Sequence, residues 1–267
     1  MNFTKIIKIT LAGVLLAGSS SVYAAGPRSG CSALPDFNQL RSALRKAVAD
    51  EGTGLNLDMW GTIVDRDGVV CAVAFSGDNR GSQWPGSRVI SAQKANTANA
   101  FSLDGLALSS GNLYSAAQGT SQVTPLGGSL YGLQFSNPVD PAVAYGGNPA
   151  DAGTRNDPMV GKRVGGVNVF GGGLALYNND YRVVGGVGVS GDTSCADHNI
   201  GWRVRNYLRL DNLAGHVGGV SGDDARPDNI IFDQFNGDKN KVTDGFEQPS
   251  CISINGGIDP TNLPVVH

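Results

Sequence analysis

Charged residues, aromatic residues and cysteines are all scarce in this chain of 267 residues. At 16% charged residues, the composition excludes a coiled coil, which is built largely from charged and helix-forming side chains. Twenty basic side chains against 23 acidic ones leave a net charge of -3, so no basic field exists to neutralise phosphates. We therefore expect no nucleic-acid partner.

Glycine is abundant instead, with 39 residues, which is about twice the usual share. This excess favours tight turns and closely approached backbones over helical bundles. The hydrophobic fraction of 40% is enough to bury a sizeable core. The length corresponds to one large domain or two small ones.

Residues 1–25 have the pattern of an export signal. Lys5 and Lys8 precede an apolar run over 9–17, which is too short to span a hydrocarbon core roughly 30 Å thick. Small or neutral residues follow, and we predict cleavage after Ala24 or Ala25. The alternative is a retained anchor, but no lipobox cysteine or stop-transfer pattern is present. We expect a periplasmic or secreted protein, with no membrane insertion of the mature chain.

The four cysteines, Cys31, Cys71, Cys195 and Cys251, all lie after this signal. An even number of cysteines in an oxidising compartment predicts two disulfides, and four cysteines can pair in three ways. Their spacing is too wide for a zinc ribbon, and no C-x-x-C occurs.

Local signals predict a helix followed by a hairpin and a second helix. Asp36 and Gln39 resemble a capping box before apolar residues at helical spacing. Alternation then predicts a strand over 55–64, a turn at 65–68 with its Asp-Gly pair, and a return strand over 69–75. A second helix is expected over 87–101.

The hairpin favours one cysteine pairing. Cys71 lies near the start of the return strand, and Cys31 lies just before the first helix. If that helix packs antiparallel to the first strand, the two cysteines meet at one end. We therefore prefer Cys31–Cys71, which leaves Cys195–Cys251, although sequence alone cannot determine connectivity.

Residues 103–165 form a loop-rich insertion, with a strand expected over 130–135. A second hairpin is predicted from 174–177 and 182–189, and a third helix over 196–208. The chain after 211 is polar and rich in glycine, aspartate and asparagine. Hairpins with packed helices indicate an α+β fold.

Three segments together resemble the GlcG/HbpS-type haem-binding proteins, also found as the C-terminal domain of PduO-type corrinoid adenosyltransferases. They are the hairpin at 64–70, the A-Q-K-A-N-T-A helix at 92–98, which resembles the family's A-x-x-K-A-x-T-A, and the glycine-rich stretch from 165 through 184–191 to Asp197. The family's arginine after the second strand is absent, since Phe75 to Asp78 lie there and Arg80 is only nearby. Asn168 replaces the usual proline.

The resemblance implies a PAS/profilin-like antiparallel sheet of about five strands with packed helices. It divides the chain into a signal peptide (1–25), a GlcG/HbpS-like domain (26–210, with the insertion 103–165) and a loop-rich C-terminal extension (211–267). It also implies a small-molecule ligand, with haem or a related tetrapyrrole as the cofactor, and a tendency to form homo-oligomers.

Five residues are candidates for the ligand site. Lys94 and Thr97 share a helix face and suit a ligand carboxylate and a hydrogen bond. The loop of Ser190, Gly191 and Asp192 leads into a helix N-terminus, where backbone N–H groups can hold an anion. Other interpretations stay open: a solvated lysine, a backbone-bonded threonine, and a helix cap at Asp192 or Thr193.

His198, in the first turn of the third helix, is the candidate ligand of haem iron or another metal, against a structural histidine. Covalent c-type haem is excluded because no C-x-x-C-H occurs. No G-x-S-x-G elbow or placed catalytic triad is present, so we assign no catalytic residue.

The sequence therefore predicts an exported protein that binds haem or a related tetrapyrrole without catalysis. Two alternatives stay open. One is an enzyme acting on a small metabolite in the same pocket. The other is a structural or partner-binding module that uses the insertion and the extension.

Overall fold

The computed structural model describes residues 30–119, 128–232, 245–254 and 259–267. The predicted signal peptide lies outside the described residues. In the described part, no helix is both long enough and apolar enough to cross a membrane.

Helices and strands alternate in an α+β order. The strands are β1 (Trp60–Asp65), β2 (Val70–Phe75), β3 (Gly173–Tyr177) and β4 (Val183–Ser190). The helices are α1 (Phe37–Ala49), α2 (Ser87–Phe101), α3 (Tyr114–Ala117), α4 (Leu133–Ser136), α5 (Pro141–Ala144) and α6 (Ser194–Tyr207).

The first helix begins where its capping box predicted. The Asp36 side chain accepts a hydrogen bond from the Gln39 backbone, and the Gln39 side chain accepts one from the Asp36 backbone. These two bonds satisfy backbone donors that a helix start leaves open. Leu40 and Leu44 on this helix are completely buried.

The four strands form one antiparallel sheet in the order β2-β1-β4-β3. The predicted count of about five strands is therefore one too high for the described residues. The strand expected over 130–135 is wrong: this segment forms turns and the one-turn helix α4. Gly132 has a φ of 92°, and its carbonyl accepts from the Phe135 and Ser136 N–H groups, which closes a helical turn.

Helix α2 covers one face of the sheet, and α1 with α6 cover the other. Alternation along β4 explains this, because successive residues point to opposite faces. A side-chain carbon at Gly188 would lie 2.0 Å from the Ser91 carbonyl oxygen of α2. Glycine at this position lets α2 approach the sheet backbone directly.

The insertion and the C-terminal extension are each tied to the domain by a buried ion pair. Arg88 of α2 pairs with Asp157 of the insertion through two bonds. Arg205 of α6 pairs with Asp228 of the extension, at 2.6 and 2.8 Å, and both side chains are fully buried.

Apolar side chains of the extension also enter the main core, so this segment is more than a polar surface tail. Those packed there are Leu213, Val217, Leu263 and Val266. Two disulfides add covalent connections, Cys31–Cys71 and Cys195–Cys251. The prediction of two disulfides is confirmed, and these are the pairs preferred from the sequence.

Candidate functional site

Lys94 of α2 points across the sheet towards the start of α6. Its ammonium lies 2.7 Å from the Asp197 carboxylate and 3.1 Å from the Val189 carbonyl oxygen. The Ser190 hydroxyl is 3.5 Å away. The predicted helix face and the predicted loop therefore meet, through a buried ion pair.

Burial acts against the charged form of both partners. It lowers the pKa of Lys94, while the Asp197 carboxylate opposes this shift. It raises the pKa of Asp197 to about 6, although the Lys94 ammonium and the Asp192 N–H favour the carboxylate. The pair is held in place because each charge compensates the other in a medium that solvates neither well.

The space around Lys94 is closed by backbone. A side-chain carbon at Gly172 would lie 3.2 Å from the Lys94 ammonium, and one at Gly173 would lie 2.3 Å from the Lys94 carbonyl oxygen. Ser110, from the insertion, accepts a bond from the Gly173 N–H at 2.8 Å. A tetrapyrrole does not fit between α2 and β4 in this arrangement.

The Thr97 hydroxyl also makes its hydrogen bonds within the protein. Its hydroxyl donates to the Gln93 carbonyl at 2.8 Å and accepts from the Asn168 N–H at 2.9 Å. The side chain is completely buried. Asn168, which replaces the family's proline, thus supplies a backbone donor that proline lacks.

Asp192 binds the segment that precedes β1 through hydrogen bonds. Its carboxylate accepts from the Leu55 N–H at 2.9 Å and from the Leu57 N–H at 3.1 Å. These bonds explain why β1 begins only at Trp60, later than the strand predicted from position 55. Of the two capping residues considered, Thr193 is the N-cap of α6, where its side chain accepts from Ala196.

Gly191 has a steric role in the same loop. A side-chain carbon there would lie 2.4 Å from the Asp58 carbonyl oxygen. Ser190 ends β4 opposite Trp60 and is nearly buried. The loop therefore packs against the chain entering β1.

His198 is completely buried on α6. Its Nε2 atom lies 3.1 Å from both the Asn229 side-chain oxygen and the Ile230 N–H. Among the described residues its Nδ1 atom has no hydrogen-bond partner. Burial lowers the pKa of His198 to about 4. Iron could bind to Nε2 only if it first displaced residues 229–230 of the extension, which occupy that position.

The structure thus brings Lys94 together with Ser190. Asp192 follows two residues after Ser190, and Thr97 lies about one helical turn after Lys94 on α2. All of them contact other parts of the protein. Their role in ligand binding, like iron ligation by His198, stays a prediction.

An open cleft lies elsewhere, at the start of α1 and the end of β2. Its volume is about 440 Å³, within the range of roughly 300–1,000 Å³ that is typical of small-molecule sites. We call it the arginine cleft, and its chemically distinctive lining residues are Phe37, Arg41, Phe75, Asp78, Arg80 and Arg155.

Positive charge dominates this cleft in a chain whose net charge is negative. Arg45 lines an adjoining cavity, so the linings of the two cavities contain four arginines and one carboxylate, Asp78. That carboxylate lies 3.2 Å from Arg45 and 3.7 Å from Arg41. The Arg155 guanidinium lies over the Phe37 ring, 5.6 Å from its centre. The cleft therefore offers aromatic surface beside guanidinium donors.

Sequence reasoning missed this cleft. One local signal exists, because Phe37, Arg41 and Arg45 follow each other at intervals of four on one face of α1. The rest is not local. Arg155 comes from the insertion, and Arg80 was noted only as a departure from the family pattern.

Comparison with known families gives one match over most of the domain. The family described as haem degrading protein HbpS-like matches residues 34–203. No curated protein matches the chain.

Two solved structures are similar in part. Protein ORFY of Klebsiella pneumoniae, assigned to family DUF336, shares 24% identity over 64% of this chain and 86% of its own, with a TM-score of 0.42. A complex of PduOC with haem shares 22% identity over 64% of this chain and 91% of that one, with a TM-score of 0.38.

Proposed function

Because the chain belongs to the HbpS-like family, as its motifs predicted, we propose that it is an exported protein that binds haem or a related tetrapyrrole without catalysis. The family match over residues 34–203 carries the proposal, since it spans the sheet, α1, α2 and most of α6. The two disulfides support export, because such bonds persist in oxidising compartments.

The described surface, rather than the interior at Lys94, has the space for such a ligand. Haem supplies a redox-active iron when bound. The residues lining the arginine cleft include no histidine, cysteine or methionine, which are common ligands of haem iron. This composition supports binding without iron chemistry directed by the protein.

The test of binding is a titration of haem into the purified mature protein, followed by the Soret band. We expect a saturable shift at micromolar haem with a defined stoichiometry. Absence of saturable binding at that concentration would overturn the proposal.

The test of the non-catalytic part uses the same complex. After addition of ascorbate or hydrogen peroxide, we expect the Soret band to decay no faster than that of haem held by serum albumin. Faster decay with release of iron would identify a haem-degrading enzyme instead.

Export is tested separately, by intact mass of the protein recovered from the periplasm or medium of its host. A chain beginning after Ala24 or Ala25 is expected. A full-length chain retained in the cell would contradict export.

A further inference from the structure

The arginine cleft carries an inference that rests on the proposed function and extends it. We propose that the ligand is recognised through its carboxylates and its aromatic face in this cleft, and that its metal is not ligated by the protein. The ligand class is then a planar aromatic dicarboxylate, with or without iron.

The first argument is the supply of unused donors. A guanidinium carries five N–H donors in a planar fork that matches a carboxylate. Arg155 gives one bond to the Asn38 side chain, and Arg80 gives one to the Pro149 carbonyl. Arg41 reaches the Phe75 carbonyl through Nε at 3.4 Å and the Asp78 carboxylate through one Nη at 3.7 Å. Each arginine therefore has further N–H groups available to an anion.

The second argument is geometry. Arg41 lies on α1, Arg80 follows β2, and Arg155 lies in the insertion, so three separate parts of the chain direct cations at one space. A ligand with two carboxylates can reach two of them at once.

The third argument is the apolar wall. Phe37, which is partly exposed, and Phe75, which is 6% exposed, line the cleft beside the guanidinium groups. Phe75 contacts the buried Trp60 with a ring separation of 4.8 Å, so this wall is backed by the core. A flat ring system gains dispersion contact from Phe37 and cation–π contact from the guanidinium groups.

The insertion completes this cleft. Residues 150–155 form one side of it, and the buried Arg88–Asp157 pair anchors that segment to α2. A domain without the insertion would lack Arg155 and the wall next to it. The inference therefore concerns this chain's own residues.

The experiment compares three ligands with the full mature protein: haem, metal-free protoporphyrin IX, and its dimethyl ester. Binding of haem is measured by absorbance, and binding of the porphyrins by fluorescence. We expect haem and protoporphyrin IX to bind within about threefold of each other, and the ester to bind at least tenfold more weakly because its carboxylates are blocked.

Variants locate the site. Arg41→Gln with Arg155→Gln is expected to weaken binding of both acids at least tenfold. The matched control is Arg182→Gln, an exposed arginine paired with Asp104 outside the cleft, which should change affinity less than twofold. Unchanged melting temperatures will show that the variants fold, since both cleft side chains are more than one-third exposed.

The outcomes separate the two proposals. If haem binds but protoporphyrin IX does not, or if the double variant binds haem normally, the inference is overturned while the proposed function stands. If no tetrapyrrole binds to the parent protein, the proposed function fails and the inference fails with it.

Discussion

The Lys94 ammonium and the Asp197 carboxylate are 2.7 Å apart and almost fully excluded from solvent. They join α2, on one face of the sheet, to the first turn of α6 on the other. A charge buried in this way is tolerated only with its partner, because desolvation of a single ion costs several kcal/mol. The residue expected to meet a ligand therefore connects the two layers of helices.

We expect Lys94→Met and Asp197→Asn each to lower the free energy of unfolding by about 3–5 kcal/mol, since each leaves one buried charge without its partner. The double variant should lose less than the sum of the two. Urea denaturation of the four proteins measures this coupling.

Lys46→Met is the control for that cycle. Lys46 also pairs with an aspartate, Asp50, but on the surface of α1. Its denaturation midpoint should stay near that of the parent. Additive losses in the Lys94–Asp197 cycle would show that the buried pair contributes no coupling.

A substitution at Gly188 tests the close approach of α2 to the sheet. In Gly188→Ala the new carbon would lie 2.0 Å from the Ser91 carbonyl oxygen and 2.4 Å from the Ala95 nitrogen, so backbone must move. We expect a loss of about 3 kcal/mol or more, at or above the upper end of ordinary overpacking.

Gly86→Ala, just before the same helix, is the matched control, since nothing lies within 4 Å of the added carbon and φ is −62°. Thermal melts of the two variants make the comparison. Equal melting temperatures would contradict the direct contact.

His198 should make stability depend on pH. Burial holds its folded-state pKa at about 4, below the ordinary value of 6.5, so the unfolded chain binds the extra proton first as the pH falls. Its contribution to stability is full above pH 6.5 and is lost as the pH falls towards 4. The loss amounts to about 3 kcal/mol at 1.36 kcal/mol per pKa unit.

Denaturation of the parent and of His198→Gln at pH 7.5 and pH 4.5 isolates this contribution. Asp197 has a raised pKa and acts in the opposite direction, but both proteins share it. From pH 7.5 to pH 4.5, the free energy of unfolding of the parent should therefore fall by more than that of His198→Gln. If the difference in the free energy of unfolding between the two proteins does not depend on pH, His198 is not a buried, neutral histidine.

The Cys195–Cys251 disulfide should stabilise the attachment of the extension. It closes a loop with a sequence separation of 56 residues, and loss of such a bond typically costs about 2–5 kcal/mol. We expect this loss in the double variant Cys195→Ser with Cys251→Ser. Ile252→Ser changes an exposed neighbour and should leave the denaturation midpoint unchanged. Peptide mapping without reduction checks both pairings directly.

Elements with local signals were predictable. The second helix runs from Ser87 to Phe101 as predicted, and α1 begins at its capping box, because both depend on residues three or four apart. The strand expected over 130–135 is wrong for the opposite reason, because a strand depends on a partner strand that residues distant in sequence must supply.

The candidate site shows the same division. The motif residues Lys94 and Ser190 do meet, as the sequence pattern predicted, but whether a cavity remains between them depended on other segments. Gly172 and Ser110 close that space from distant positions in the chain. No periodicity near residue 94 carries information about them.

By itself, the sequence determined the family, the α+β class, the helix starts and the presence of two disulfides, since each depends on local patterns or on composition. Only the tertiary structure decided that the lysine of the motif is neutralised by Asp197, that the extension shares the core, and that arginines from three segments surround one cleft. Those features require residues distant in sequence to become neighbours, and burial and charge compensation act only once they have.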